Sequence, residues 1–473
     1  MIRQFFKDSF LYGLASIIVQ GIPILILPVY VRLLPPSDYG AMEIILIFAA
    51  LINLTVALEI NQGFARHYPD AKTTAEKREY ASTALWFTAA AYGLFVLVAL
   101  MCLRPLTALI LHSSGWEKTI GVAIVAMGVN GVHLLLQNQL RWQLKPMAYI
   151  TASTTYVCLS VAVGIWIIAR YHTGVVGIFY GQIMGAVVAG CCAWFMGRDN
   201  YGLLFKWSKC KEMLAFSLPL IPASISIIVA AYVDRIAIQN MMTLNDVGIY
   251  SVGFRVASIA NVVMAGIFFS LTPLIYQHYR KTSTPGELAT IFTYFLCGTL
   301  PIIMGMAMFS REILRLFATP PYYSAWVIIP ILSVASILSK MYIFAPGLDI
   351  EKKTKKIALI NIVAAVINAA LNILLIPRFG IAGSALATLI SAAVLLYAYM
   401  RASQKLYPIP YPWGKIVKAC VAAIFVIILS YYVPVMTNYS DWLTMSGKFL
   451  AVIVASILIF RFLFKGEASF RNS

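Results

Sequence analysis

Asp234 and Arg235 stand side by side inside a long apolar run, and Arg255 lies inside the run that follows. A charge near the middle of a bilayer costs roughly 2.5–3.5 kcal/mol on insertion scales, so charges kept in such runs carry a functional reading by default. Glu43 and Glu59 share an apolar run near the N-terminus with Arg66 at its end, Arg32 lies at the end of the run before it, and Lys340 sits in a later one. The chemistry on offer is binding and gating rather than bond-making. Guanidinium groups hold phosphate oxygens through paired hydrogen bonds, so Arg255, Lys340, Arg66 and Arg32 are the candidate substrate contacts, suited to an anionic head group. Glu43, Glu59, Asp234 and Arg235 are the candidate gating or ion-pair residues. Two partners for Arg255 stay open: Glu43 from the other half of the chain, or Asp234 locally. Lys340 can instead extend its ammonium to the surface, and Arg66 is either a surface anchor or the rim of a cavity.

A second set is neutral. Asn361, Asn368 and Asn372 recur in one apolar run, the last two one helical turn apart, and Thr388 lies in the next run. Their oxygens are hard donors able to ligate Na⁺; equally, such groups bind neighbouring helices together. His133, Gln137 and Asn138 are ambiguous in the same way, and His133 is able to titrate. Coupling to Na⁺ or H⁺ is therefore possible. The chain contains no GxxxxGK[ST] phosphate loop and no CxxC pair. Its seven cysteines, mostly within apolar runs, read as small buried hydrophobes. No cofactor and no metal centre is expected.

The elements that must carry these residues follow from composition. Of 473 residues, 61% are hydrophobic and 11% charged, with a mean hydropathy of +0.84; a soluble domain carries about 25% charged residues. Apolar runs of about 20 residues recur throughout, as a ~30 Å hydrocarbon core demands. The alternating pattern of a membrane β-barrel is absent. The expectation is an all-α polytopic membrane protein with about fourteen spans, near 10–33, 41–63, 81–103, 119–139, 148–169, 178–197, 213–234, 249–276, 288–309, 325–347, 357–376, 380–400, 416–436 and 447–464. The first apolar run continues without a small-residue cleavage site and reads as a span, not a signal peptide. A net charge of +18 invites a nucleic-acid reading, but most of the basic residues fall in alternate loops. That is the positive-inside pattern, which puts both termini in the cytoplasm and leaves no nucleic-acid partner. Lys352-Lys353-Thr354-Lys355-Lys356 reads as an anchor on anionic lipid heads. No loop is long enough to fold a soluble catalytic domain.

Two short motifs repeat. Asp38-Tyr39-Gly40 returns about 208 positions later as Asp246-Val247-Gly248, and Gly174-Val175-Val176-Gly177 returns as Gly380-Ile381-Ala382-Gly383. Spans 1–6 and 7–12 thus read as two parallel copies of a six-helix unit, related by an axis along the membrane normal. The expected divisions are 1–200, 201–402 and an appendix, 403–473, which follows the proline-rich Tyr407–Pro412 linker. Two such lobes suit alternating access, with a substrate site between them.

Several strings resemble the polysaccharide-transporter family: Arg32-Leu33-Leu34-Pro35 with Asp38-Tyr39-Gly40, Ala65-Arg66-His67-Tyr68, Ser217-Leu218-Pro219-Leu220-Ile221-Pro222, the Leu244–Val256 stretch, Gly347 with Lys352–Lys355, and Asn372–Gly383. That family includes the O-antigen flippases and belongs to the multidrug/oligosaccharidyl-lipid/polysaccharide exporter superfamily. The resemblance implies a V-shaped pair of six-helix lobes that moves an undecaprenyl-diphosphate-linked oligosaccharide across the bacterial inner membrane. Membrane lipids, a polysaccharide polymerase and a chain-length regulator are the implied partners. Relatives that flip the peptidoglycan precursor carry two extra C-terminal helices beside the lipid tail, similar to the last two spans here. Some hold sodium between helices 7, 11 and 12, where Asp234, Asn368, Asn372 and Thr388 stand in this chain; Asn372 replaces a carboxylate that would bind the ion better. A peptidoglycan-precursor flippase and a multidrug antiporter are the alternatives. A membrane polymerase or ligase would carry a large outer loop with catalytic residues, and segments 104–118 and 310–324 hold no such constellation. The expectation is a carrier, not an enzyme.

Overall fold

The computed structural model describes residues 25–261, 271, 274–437 and 441–464. Among these the regular structure is helical. The helices used below are α1 (25–33), α2 (Pro36–Thr55), α3 (Ile60–His67), α4 (Thr74–Met101), α5 (Leu103–Leu111), α6 (Glu117–Trp142), α7 (Pro146–Tyr171), α8 (Val176–Gly197), α9 (Trp207–Ser217), α10 (Ile221–Met241), α11 (Leu244–Ala257), α12 (Thr284–Met308), α13 (Ser310–Phe317), α14 (Ile328–Leu338), α15 (Gly347–Ile350), α16 (Thr354–Phe379), α17 (Ile381–Gln404), α18 (Trp413–Thr437) and α19 (Asp441–Phe464). Eleven helical segments among the described residues are long and apolar enough to cross a membrane, and they coincide with eleven of the fourteen expected spans. The other three, 10–33, 249–276 and 416–436, run partly onto residues or side chains outside the described set.

Two spans depart from the simple rod that hydropathy suggests. The expected span 41–63 is broken: α2 ends at Thr55 and α3 restarts at Ile60. Between them Leu58 and Glu59 take left-handed backbone, with φ of 51° and 49°. For residues with a Cβ this conformation costs roughly 1–2 kcal/mol each. The seventh span joins α9 to α10 through a 3₁₀ turn at Leu218–Leu220; Pro219 and Pro222 cannot donate to a continuous helical ladder there.

The chain divides into two compact units. One comprises Met1–Gln239 with Thr243–Gly248, the other Asn240–Met242 with Ile249–Ser473. The boundary thus lies at the α10–α11 turn, whereas the sequence division falls near residue 200. The reason is that α9 and α10 are bound to the first six helices. Ser217 Oγ donates to Leu58 O at 2.7 Å, inside the break in the second span. Lys209 Nζ reaches Glu76 Oε1 at 3.0 Å, Tyr80 donates to Glu212, and Met213 is fully buried with Phe64, Tyr80 and Tyr92.

In the second unit, Phe292, Phe344 and Tyr411 form an aromatic centre with ring separations of 4.9 and 4.8 Å. The appendix, expected as a separate division, belongs to this unit. Helices α18 and α19 pack Ala419, Ala423, Ala455 and Ile459 against Leu300, Met304 and Met308 of α12. Lys448 Nζ on α19 also pairs with Glu312 Oε1 on α13 at 2.6 Å.

Candidate functional site

The repeated Asp-x-Gly turns meet within the first unit. Helix α2 opens on Pro36 with Asp38 in its first turn, both favourable where free N–H groups point outward. Helix α11 opens on a reciprocal cap: Thr243 N–H donates to Asp246 Oδ2 at 3.1 Å, and Asp246 N–H to Thr243 Oγ1 at 3.3 Å. A Cβ on Gly40 would lie 1.9 Å from Leu244 O, and a Cβ on Gly248 would lie 1.9 Å from Pro36 O. Positions 40 and 248, and 36 and 244, are the same pairs under the repeat offset. The contact between the two turns is therefore reciprocal.

One turn further along α2 is Glu43, only 5% exposed. It faces Arg235 of α10, whose Nε lies 3.9 Å from Glu43 Oε2. Arg235 Nη1 donates to Asp234 Oδ1 at 3.0 Å and to Oδ2 at 3.2 Å. The Tyr232 ring lies 5.5 Å from the guanidinium. Asp234 and Arg235 are 5% and 3% exposed. Arg235, adjacent to Asp234 in sequence, thus stands against Glu43 in this unit, a pairing that reading the runs separately did not propose. Arg255, on α11, belongs to the second unit and is half-buried. Removing one member of a buried pair typically costs about 3–5 kcal/mol, so this cluster ties α2 to α10 within the first unit.

Asn368 and Asn372 of the neutral set form a chain of hydrogen bonds with Ser384 and Ser391 in the second unit. Asn368 Nδ2 donates to Ser391 Oγ at 2.9 Å, Asn372 Nδ2 to Asn368 Oδ1 at 2.8 Å, and Ser384 Oγ to Asn372 Oδ1 at 2.7 Å. Thr388 Oγ1 donates to Ser384 O within its own helix. Each carboxamide oxygen already accepts a hydrogen bond, so the arrangement works as a clasp between α16 and α17. The fourth residue of the expected cation set, Asp234, belongs to the first unit and is held by Arg235. His133 is buried and stacks on Tyr156 at 4.9 Å, as a packing residue does.

The remaining candidates are placed as follows. Arg66, at the exposed end of α3, pairs with Asp70. Lys340 is exposed where α14 gives way to the turn Met341–Phe344. Arg32 is exposed near the end of α1. Glu59 is buried at the break in the second span. A feature without a sequence signal is a groove of about 650 Å³ in the second unit, running between α12, α14, α17 and α18. Phe292, Leu296, Met341, Met400 and Ile416 are among its apolar lining residues, and Arg401, Gln404 and Trp413 lie where α17 ends and α18 begins. Arg401 Nη1 donates to Tyr397 Oη at 3.3 Å.

This architecture is similar to two solved structures. One is the lipid II flippase MurJ in an inward closed conformation: TM-score 0.68, 14% identity, covering 97% of this chain and 99% of that chain. The other is an inward-facing multidrug resistance MATE family transporter of the MOP superfamily: TM-score 0.65, 15% identity, 84% of this chain and 98% of that one. The protein is thus a multi-pass helical membrane protein of the MOP fold. Its sequence is 24% identical over 233 residues to the probable low-salt glycan biosynthesis flippase Agl15 of Haloferax volcanii, covering 48% of this chain and 49% of that protein. The chain spans about half the length of such curated relatives. The sequence profile described as polysaccharide biosynthesis protein matches residues 5–279, more than half of the chain, and the protein belongs to that family.

Proposed function

We propose that the protein is a flippase that carries an undecaprenyl-diphosphate-linked oligosaccharide, an O-antigen or exopolysaccharide repeat unit, from the inner to the outer leaflet of the bacterial inner membrane by alternating access. The observation that carries this reading is the apolar groove of the second unit. Its volume and greasy lining suit a prenyl tail, and Arg401 and Gln404 supply donors for a charged head at one end. A glycan–diphosphate head crossing hydrocarbon unshielded would strand many polar groups at several kcal/mol each. A carrier must therefore hold the head in a polar space while the tail stays in an apolar one, the groove or the lipid beside it. No bond needs to be made or broken, which favours a carrier over a polymerase or ligase. In this reading both termini are cytoplasmic, and the polymerase and chain-length regulator act on what the carrier delivers. The peptidoglycan precursor is the second candidate cargo, favoured by the MurJ-like fold extending over α18 and α19.

The test is leaflet transfer in proteoliposomes, using a fluorescent polyprenyl-diphosphate oligosaccharide and a membrane-impermeant quencher. Transfer above empty vesicles is expected. Transfer of the peptidoglycan precursor alone would move the cargo assignment to that lipid. Chain extension without transfer would overturn the carrier reading.

A further inference from the structure

The second unit carries a small pocket apart from the apolar groove, with a volume of about 210 Å³. Its lining is Arg311, Leu314 and Arg315 of α13, with Tyr323 and Trp326 of the 3₁₀ segment Pro320–Val327. Helix α13 follows directly on the span α12, and the 3₁₀ segment opens the next span, so the pocket sits where two spans end. Both arginines are exposed, Tyr323 and Trp326 are half-buried, and Leu314 is buried.

Four-residue spacing puts Arg311 and Arg315 on one face of α13, roughly 5–6 Å apart at Cβ. The Arg311 guanidinium lies 4.0 Å from the centre of the Trp326 ring. Such a contact holds a cation in place without giving its N–H donors an acceptor. Neither arginine has a hydrogen bond or ion pair among the described residues. The acid of α13, Glu312, is held by Lys448, and no acid among the described residues lines the pocket. Like charges one turn apart repel, and Arg311 also stands in the first helical turn, where the helix dipole disfavours a cation. An anion relieves both. Two guanidiniums match a group with two negative charges and several acceptor oxygens, as a diphosphate ester has; a phosphodiester head brings only one charge. Tyr323 adds a hydroxyl donor.

We propose that this pocket binds the diphosphate of a polyprenyl lipid at the membrane surface, with Arg311 and Arg315 on its oxygens. The inference rests on the flippase reading for its side of the membrane. In that orientation the pocket is on the outer face, where positive-inside patterning keeps basic residues scarce, and the delivered head has a docking point on the carrier.

The test is native mass spectrometry of purified full-length protein, titrated separately with undecaprenyl diphosphate, inorganic diphosphate and phosphatidylglycerol. It reads binding alone, so failed transfer in proteoliposomes would leave its outcome standing. One saturable undecaprenyl-diphosphate adduct should weaken about tenfold in Arg315→Gln and in Arg311→Gln, since each removes charged hydrogen bonds. Arg315 holds no partner among the described residues, so its replacement spares the fold. Arg315→Lys should recover only part of the binding, because an ammonium cannot make the paired bonds. Arg170→Gln removes an exposed arginine stacked on Tyr171 in the first unit and should change nothing. Displacement of the lipid by inorganic diphosphate would assign recognition to the diphosphate alone; without it, the prenyl chain shares in recognition. Undiminished binding in both Arg311→Gln and Arg315→Gln would overturn the proposal. So would equal loss in Arg170→Gln, or tighter binding of phosphatidylglycerol than of undecaprenyl diphosphate.

Discussion

Substituting alanine at Gly40 or Gly248 probes the reciprocal turn contact directly. Each new Cβ would lie 1.9 Å from a backbone oxygen, where real contacts essentially never fall below 3.0 Å. The obstructing atoms are main chain, so no flexible side chain can move aside, and the turns must part by roughly 1 Å. Overpacking of this kind typically costs about 1–3 kcal/mol. Because the contact is reciprocal, the first substitution opens the gap that the second also needs. Gly40→Ala and Gly248→Ala should therefore each destabilise the protein by a similar amount, and the double variant should cost clearly less than their sum. Thermal or denaturant unfolding in nanodiscs measures this, and leaflet transfer in proteoliposomes reads the effect on the transport cycle. Neutral single variants, or a double variant that is fully additive, would refute the reasoning that the two turns share one interface.

Arg235→Gln should leave Asp234 and Glu43 buried together without the guanidinium that faces both; a loss of about 3–5 kcal/mol is expected, and a cycle with Glu43→Gln should show coupling in unfolding measurements. Asn372→Ala breaks the links to Ser384 and Asn368, with an expected loss of about 1–3 kcal/mol in the same assay. Met400→Trp fills part of the apolar groove; it should slow transfer of a long-chain prenyl substrate more than that of a short-chain analogue, measured side by side in proteoliposomes.

Much of this molecule is local and so was readable from the chain. Hydropathy marks membrane helices because each must satisfy its own backbone hydrogen bonds in hydrocarbon, and the prolines at 219 and 222 mark the bend between α9 and α10. The i, i+4 spacing of Asn368 and Asn372 also foretold a shared face. What closes that face is tertiary: Ser391 accepts from Asn368 and Ser384 donates to Asn372, both across from α17 to α16, with Thr388 turned to its own helix. The pairing of Glu43 with Arg235 joins residues far apart in the chain, and only packing brings them together. Nothing in the Leu58-Glu59 dipeptide signals a helix break, since neither residue is Gly or Pro.

Sequence alone determined that the chain is a helical membrane protein with a repeated turn, because burial in lipid and backbone geometry act over a few residues at a time. Tertiary structure alone decided that the repeated glycines touch, that α9 and α10 fasten to the first helices, and that Arg311 and Arg315 share a pocket with Trp326. Those outcomes depend on which surfaces remain in contact after helices separated by hundreds of residues have packed, and short-range pattern carries no record of that competition.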